Sequence, residues 1–209
     1  LRYLWLYNNS ELTGPIPAEL GNLSNLIEIE LSFTAVSGTI PATLGQLYNL
    51  QILWLQYSDL TGSIPAELGN LRQLDLSFTA ITGTIPSTLG QLYNLQILWL
   101  ESNAQLTGPI PPELSQISKL IELDLSEASL TGTSPSSLGN LTLLTIALLD
   151  DNFLTASVPW SFGQLAQLGQ LYLDHNLLSG SLPASLSALT KLLELHLQNN
   201  KLSRTLDGI

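Results

Sequence analysis

A unit of about 24 residues recurs along the chain, and a fixed period of that length is the mark of a solenoid. One copy, Leu168 to Lys191, carries Leu168, Leu171, Leu173, Asn176, Leu178, Gly180, Leu182-Pro183, Leu186 and Leu189 at its fixed positions. In a solenoid each unit touches only its neighbours, so the working surface is the stacked face and not a pocket closed by residues distant in sequence. The spacing places units near residues 1, 26, 50, 74, 95, 120, 144, 168 and 192, nine in all with the last cut short, in one elongated domain over 1–209. The chain opens inside one unit and stops inside another with no polar cap, which predicts a piece of a larger protein.

Within each unit a pair of apolar residues two apart (Leu4/Leu6, Ile29/Leu31, Leu53/Leu55) has the period of a strand. Stacked copies predict a parallel sheet with strands about 4.8 Å apart. Leu12, Val36, Leu60, Ile81, Leu106, Leu130, Leu154 and Leu178 are expected to turn back into the core behind it. Pro removes a backbone donor and Gly relaxes the dihedral limits, so the following Gly-x-Ile-Pro and Leu-Gly-x-Leu segments predict bends and short helical turns, not long helices. Three residues after the last strand leucine stand Asn9, Thr34, Ser58, Thr79, Asn103, Ala128, Asn152, Asn176 and Asn200. A buried Asn there can bond the backbone of its own and adjacent coils. Ala128 cannot, which predicts a water or a weak point at that coil.

Residues 31–55 and 76–100 differ at only three positions, Val36/Ile81, Ser37/Thr82 and Ala42/Ser87, the signature of a duplicated pair of units. The fourth unit is three residues short, with Leu71-Arg72-Gln73-Leu74-Asp75-Leu76 standing where the second has nine residues from Leu23 to Leu31. Either one short helical turn is missing on the connecting side, or the sequence is incomplete there. Single extra residues in Asn8-Asn9-Ser10-Glu11 and Ser102-Asn103-Ala104-Gln105 predict mild bulges after the strand.

The formal charge is −11 with six Lys and Arg, so the basic stripe that neutralises phosphates is missing and nucleic acid is disfavoured as a partner. Anionic membrane surfaces are disfavoured on the same ground, and no apolar stretch is long enough to span a bilayer. With no cysteine, disulfides and Cys-based metal sites are excluded.

The Leu-Thr-Gly-x-Ile-Pro form resembles the plant-type leucine-rich repeat, through Leu12-Thr13-Gly14-Pro15-Ile16-Pro17, Leu60-Thr61-Gly62-Ser63-Ile64-Pro65 and Leu106-Thr107-Gly108-Pro109-Ile110-Pro111. That repeat builds the ectodomains of plant receptor-like kinases and receptor-like proteins, and the secreted polygalacturonase inhibitors. The resemblance implies an α/β-type solenoid, a right-handed superhelix with a parallel sheet on the concave face and short 3-10 or irregular turns on the convex face. It also implies a second short sheet near the Leu-Thr-Gly segment and ligand binding on the concave or lateral face. The chain departs from the plant proteins in lacking their paired-cysteine caps.

Between the two strand leucines one outward residue per unit forms a column: Trp5, Glu30, Trp54, Asp75, Trp99, Asp124, Leu148, Tyr172, His196. Two places after the last strand leucine a second column reads Asn8, Phe33, Tyr57, Phe78, Ser102, Glu127, Asp151, His175, Asn199. With Tyr3 and Tyr7, these describe an aromatic patch in the first units running into an acidic one of Glu122, Asp124, Glu127, Asp150, Asp151 and Asp174. A row of exposed rings is rarely carried without use, and Trp and Tyr dominate binding hot spots. Trp residues on alternate strands lie roughly 10 Å apart with a carboxylate between them. That spacing suits an extended peptide with cationic side chains, or a linear glycan stacked on the rings. The opposing reading is that the rings tile a flat sheet and that duplication copied one Trp, since Trp54 and Trp99 are duplicate copies.

The chain carries no nucleophile elbow, phosphate loop or zinc-protease motif. His175 and His196 beside Asp150, Asp151 and Asp174 are more simply exposed polar residues than a metal cluster. An open sheet is expected to offer no desolvated cleft that separates carboxyl pKa values. The expectation is therefore a non-enzymatic recognition module without cofactor or metal, extracellular or at the cell surface. Its ligand is a protein, peptide or glycan, a cationic one fitting best, held by Tyr3, Trp5, Tyr7, Glu30, Phe33, Trp54, Tyr57, Asp75, Phe78, Trp99, Asp124, Glu127, Asp151 and Tyr172. The alternatives are a structural subunit of a larger assembly or matrix, its aromatic patch covered by a neighbouring subunit, and an ice-binding protein, for which Thr39 and Thr84 supply a fragment of the needed array. Asn8, Asn22 and Asn140 open N-x-Ser/Thr sequons, candidate glycosylation sites.

Overall fold

The leucine period builds one parallel sheet of nine strands in sequence order in the computed structural model of the chain, which describes residues 1–203. The truncated end of the last unit, 204–209, lies outside those residues. The strands are β1 (Tyr3–Trp5), β2 (Glu28–Glu30), β3 (Ile52–Trp54), β4 (Gln73–Asp75), β5 (Ile97–Trp99), β6 (Glu122–Asp124), β7 (Ile146–Leu148), β8 (Gln170–Tyr172) and β9 (Glu194–His196). Their central residues pair in one inward ladder, Leu4, Ile29, Leu53, Leu74, Leu98, Leu123, Ala147, Leu171 and Leu195. Those from Ile29 to Leu171 are buried in one continuous core. Such a ladder forbids a one-residue slip, which would turn every leucine to solvent.

Behind it, Thr13–Pro15, Ala35–Thr39, Asp59–Gly62 and Ala80–Ile81 form a second parallel sheet, and Gly83–Thr84, Leu106–Pro109, Ser129–Thr133 and Phe153–Thr155 a third. The resemblance to the plant-type repeat implies these lateral strands. On the convex side run five-residue 3-10 helices such as Ala18–Asn22 and Trp160–Gln164, each entered from a proline, Pro17 and Pro159 for these two. The proline's fixed φ and missing N–H suit the position before a first turn.

The fourth unit's missing residues fall on the convex side. Ala66 to Leu71 forms a turn where the other connections carry a 3-10 helix, while the register of β3, β4 and β5 is unbroken. The lost turn leaves a notch of about 260 Å³ beside Leu68, Asn70 and Leu92.

The asparagine column works as expected from its chemistry. Asn152 Nδ2 donates to Leu125 O (2.8 Å), Leu149 O (3.3 Å) and Asp150 O (2.9 Å), while its Oδ1 accepts from Leu130 N (2.9 Å). Thr34 and Ser58 reproduce only the contact to their own strand leucine. The weak point expected at Ala128 is absent. The extra residue in the preceding unit lets Leu106 N donate to Asn103 O (2.8 Å), Leu100 O is taken by Asn103 (3.0 Å), and Leu125 O by Asn152 (2.8 Å). Every backbone group that an Asn at 128 would serve already has a partner.

Candidate ligand-binding face

Strand register fixes the first outward column as one continuous row: Trp5, Glu30, Trp54, Asp75, Trp99, Asp124, Leu148, Tyr172 and His196 are successive ladder partners. The alternation of indole and carboxylate read from the sequence is therefore a spatial one. Exposure differs from the expectation of a uniformly outward column. Trp5 is 57% exposed, but Trp54 and Trp99 are half-buried, and Asp75 and Asp124 are only 3% and 8% exposed. The short carboxylates lie between larger neighbours, Asp75 between Trp54 and Trp99 and Asp124 between Trp99 and Leu148.

The second column has a property that the sequence reading missed. Asn8, Phe33, Tyr57, Phe78, Ser102, Glu127, Asp151, His175 and Asn199 all have φ between 48° and 58°. Asn, Asp and His visit this left-handed region readily, whereas Phe and Tyr are strained in it. The signal available was the presence of Asn8, Asp151 and Asn199 in that column. Phe33 and Tyr57 stack at 4.5 Å between ring centroids, and Tyr57 and Phe78 at 4.2 Å, with near-parallel planes. Stacking offsets the backbone strain, covers both faces of Tyr57 and one of each end ring, and leaves an exposed apolar ridge along units two to four. Tyr3 and Trp5, 5.7 Å apart, extend the aromatic end, and Tyr7 stands exposed beside them.

Toward the other end the carboxylates gather with no cation among them. Among the described residues the ion pairs involve only histidine: His175 Nδ1 lies 2.9 Å from Asp174 and 4.0 Å from Asp151, and His196 Nδ1 3.9 Å from Asp174. No group of three or more such side chains among those residues is arranged to hold a metal ion. The His196 ring stacks on Tyr172 at 3.9 Å. Asp75 accepts from Ser77 N (2.9 Å), and Asp124 accepts from both the backbone N–H (3.0 Å) and the hydroxyl (2.6 Å) of Ser126.

The expectation that an open sheet leaves carboxyl pKa values together is corrected here. Burial raises Glu101 to about 7, with the Asp124, Glu127, Asp150 and Asp75 charges adding to it. Burial raises Asp150 to about 6, and it also pushes up Asp75 and Asp124 against their serine hydrogen bonds. Side-chain crowding on the inner surface of the coil supplies the desolvation that strand geometry alone does not suggest.

A pH dependence of stability follows. Glu101 takes up its proton at higher pH folded than unfolded, so the stability this adds is complete below its unfolded value of 4.5 and is lost as pH rises through about 7. The melting temperature should climb between pH 8 and pH 5. Glu101→Gln should flatten that climb and raise Tm at pH 8 by about 2–4 °C, equivalent to about 1 kcal/mol once solvent screening is allowed for. Thermal scans showing a flat profile for the native chain would overturn this.

The sequons at Asn8, Asn22 and Asn140 are all exposed; Asn22 and Asn140 end 3-10 helices on the convex side, and Asn8 lies on the concave column.

The Leucine Rich Repeat family model matches residues 1–23, 49–71, 70–92, 119–141 and 167–189, together more than half of the chain. The chain belongs to the leucine-rich repeat family. Among solved structures this leucine-rich repeat protein is similar to the plant peptide hormone receptor RGFR1 in complex with RGF2, at 40% identity and a TM-score of 0.89 over 94% of this chain and 32% of that one. The Arabidopsis receptor kinase HAESA, in complex with the peptide hormone IDA and the co-receptor SERK1, matches at 35% identity and 0.80, over 92% of this chain and 37% of that one. A plant ice-binding protein matches at 31% identity and 0.83, over 98% of this chain and 66% of that one. The leucine-rich repeats here thus span about a third of the length of the receptor structures they match. No curated protein matches significantly.

Proposed function

We propose that this leucine-rich repeat chain is a non-enzymatic recognition module, extracellular or at the cell surface, that binds an extended peptide along its concave face. Its nine units form one domain of a longer protein. The observation that carries the reading is the polarity of that face, an apolar ridge of Phe33, Tyr57 and Phe78 leading into carboxylates that, among the described residues, pair with no Lys or Arg. An extended peptide advances about 3.3 Å per residue and so can lie across successive 4.8 Å strands. The similarity to a plant peptide hormone receptor and to a receptor kinase in complex with a peptide hormone supports it. A glycan suits the ridge less well, because stacked rings offer edges where sugars need faces.

The test begins with peptides selected from a random displayed library on the immobilised protein. Trp54→Ala with Trp99→Ala should weaken their binding by roughly thirtyfold, as loss of a hot spot does, with an unchanged circular dichroism spectrum. Unaltered affinity in that double variant would sink the concave-face reading.

A second reading, ice binding, draws on one observation of its own. The lateral strands bring Thr39 opposite Thr61, Thr84 opposite Thr107 and Thr133 opposite Thr155, and a similar plant structure is an ice-binding protein. Pro15 and Pro109 interrupt the array, and it divides between two sheets, which ranks this reading second. Thermal hysteresis in the purified protein would raise it to first.

A further inference from the structure

We propose that Trp54, Asp75 and Trp99, with Ser77 and Glu101 at the rim, form a subsite for one cationic side chain, guanidinium or ammonium, of the bound peptide. This rests on the concave face being the peptide-binding surface and names what that face selects. The three central residues are ladder partners on β3, β4 and β5, so the two indoles stand on strands roughly 10 Å apart with the carboxylate on the strand between. Asp75 is 3% exposed and its one hydrogen bond is from Ser77 N, at 2.9 Å. A carboxylate so far removed from water, without a cation, is costly. No Lys or Arg among the described residues forms an ion pair.

The second sign is Ser77. At the matching place one unit-pair on, the Ser126 hydroxyl closes onto Asp124 at 2.6 Å. The Ser77 hydroxyl, on a residue only 5% exposed, lies near Asp75 but is buried without closing onto it as Ser126 closes onto Asp124. Asp75 is thus the less completed of two carboxylates that each have a serine two residues on, and it alone lies between two indoles, Asp124 having Leu148 on its far side; a donor from a bound ligand can complete it. An ammonium or guanidinium brings both the charge that Asp75 and Glu101 lack and a cation for the faces of the flanking indoles. Glu101 is more accessible than Asp75, so the incoming cation meets it first.

The test uses tetra-arginine amide and its neutral isostere tetracitrulline amide, titrated calorimetrically into the whole chain at pH 8. Tetra-arginine should bind at least about tenfold tighter, and Asp75→Asn should remove that preference, the loss of a desolvated charge partner being worth about thirtyfold. Glu19→Gln with Glu113→Gln, on the convex helices, should leave it unchanged and so exclude a general attraction to an acidic protein. Should Asp75→Asn fail to fold, Glu101→Gln takes its place, and the arginine preference should also shrink for the native chain at pH 5.5. Equal binding of both peptides, with both weakened by Trp54→Ala and Trp99→Ala, would overturn the subsite while leaving the peptide-binding face intact. No binding of tetra-arginine would overturn the subsite as well. Indifference of the library-selected peptides to those Trp variants would remove the face and the subsite together.

Discussion

Asn152→Ala is expected to destabilise the fold by about 3–5 kcal/mol, a fall in Tm of roughly 10 °C for a chain of this size. The side chain serves four backbone groups at once: Leu125 O on the previous coil, Leu149 O and Asp150 O on its own, and Leu130 N behind the sheet. Asn152 itself is buried; Leu149 O keeps Asn176 Nδ2 (2.9 Å) and Asp150 O keeps Glu127 N (3.2 Å), so truncation orphans Leu125 O and Leu130 N, each at a cost of about 1–3 kcal/mol. Chemical denaturation at fixed temperature gives the measurement, with the slope checked because solenoids can unfold in parts. Ala128→Asn is the matched control. The equivalent groups around Ala128 already have partners, so the added amide should gain nothing and its desolvation should make the variant neutral or slightly worse. A small loss at Asn152, or a large gain at Ala128, would show that the column is decorative.

The two positions also show what was legible in the sequence. A strict period exposes everything that repeats with it, so the inward ladder from Ile29 to Leu171 and the place of the short fourth unit could be read directly, whereas the lateral Leu-Thr-Gly strands were implied by the resemblance to the plant-type repeat. The rescue of Ala128 could not, because it depends on a one-residue bulge in the preceding unit turning Leu106 N back onto Asn103. That is a relation between departures from the period. The columns of the candidate face were legible as columns, and register placed Trp54, Asp75 and Trp99 side by side as the alternation implied. Their exposure was not legible. Whether Asp75 is wet or dry depends on how its neighbours' rings lie across it, and a period says nothing of rotamers. The raised Glu101 and Asp150 carboxyls follow from that same crowding. The left-handed conformation of Phe33, Tyr57 and Phe78 was hidden for another reason: local preference argues against it, and it persists because Phe33 N, Tyr57 N and Phe78 N each donate to a carbonyl of the next coil.

Gly163→Ala should be among the most damaging small substitutions on the convex side, at about 3 kcal/mol or some 6–12 °C in Tm. A Cβ at Gly163 would stand 2.3 Å from Ser185 O and 2.7 Å from Ser185 C, on the backbone of the next coil's 3-10 helix. Both contacts are to main chain, so no side-chain rotation relieves them, and the two helices must part along with the leucines beneath them. The glycine of the Leu-Gly-x-Leu segment is therefore explained by the approach of neighbouring coils and not by its own dihedral angles. Gly69→Ala tests that account from the other side. Gly69 occupies the corresponding place in the short connection, where the 3-10 helix is missing, and its nearest neighbour to a new Cβ is Gly45 O at 3.9 Å. With room available, Ala there should be neutral or stabilise by about 0.4–1 kcal/mol by restricting the unfolded chain. Equal destabilisation at the two positions would mean that glycine is needed there for backbone freedom, and the coil-to-coil contact would lose its claim to explain this glycine of the repeat.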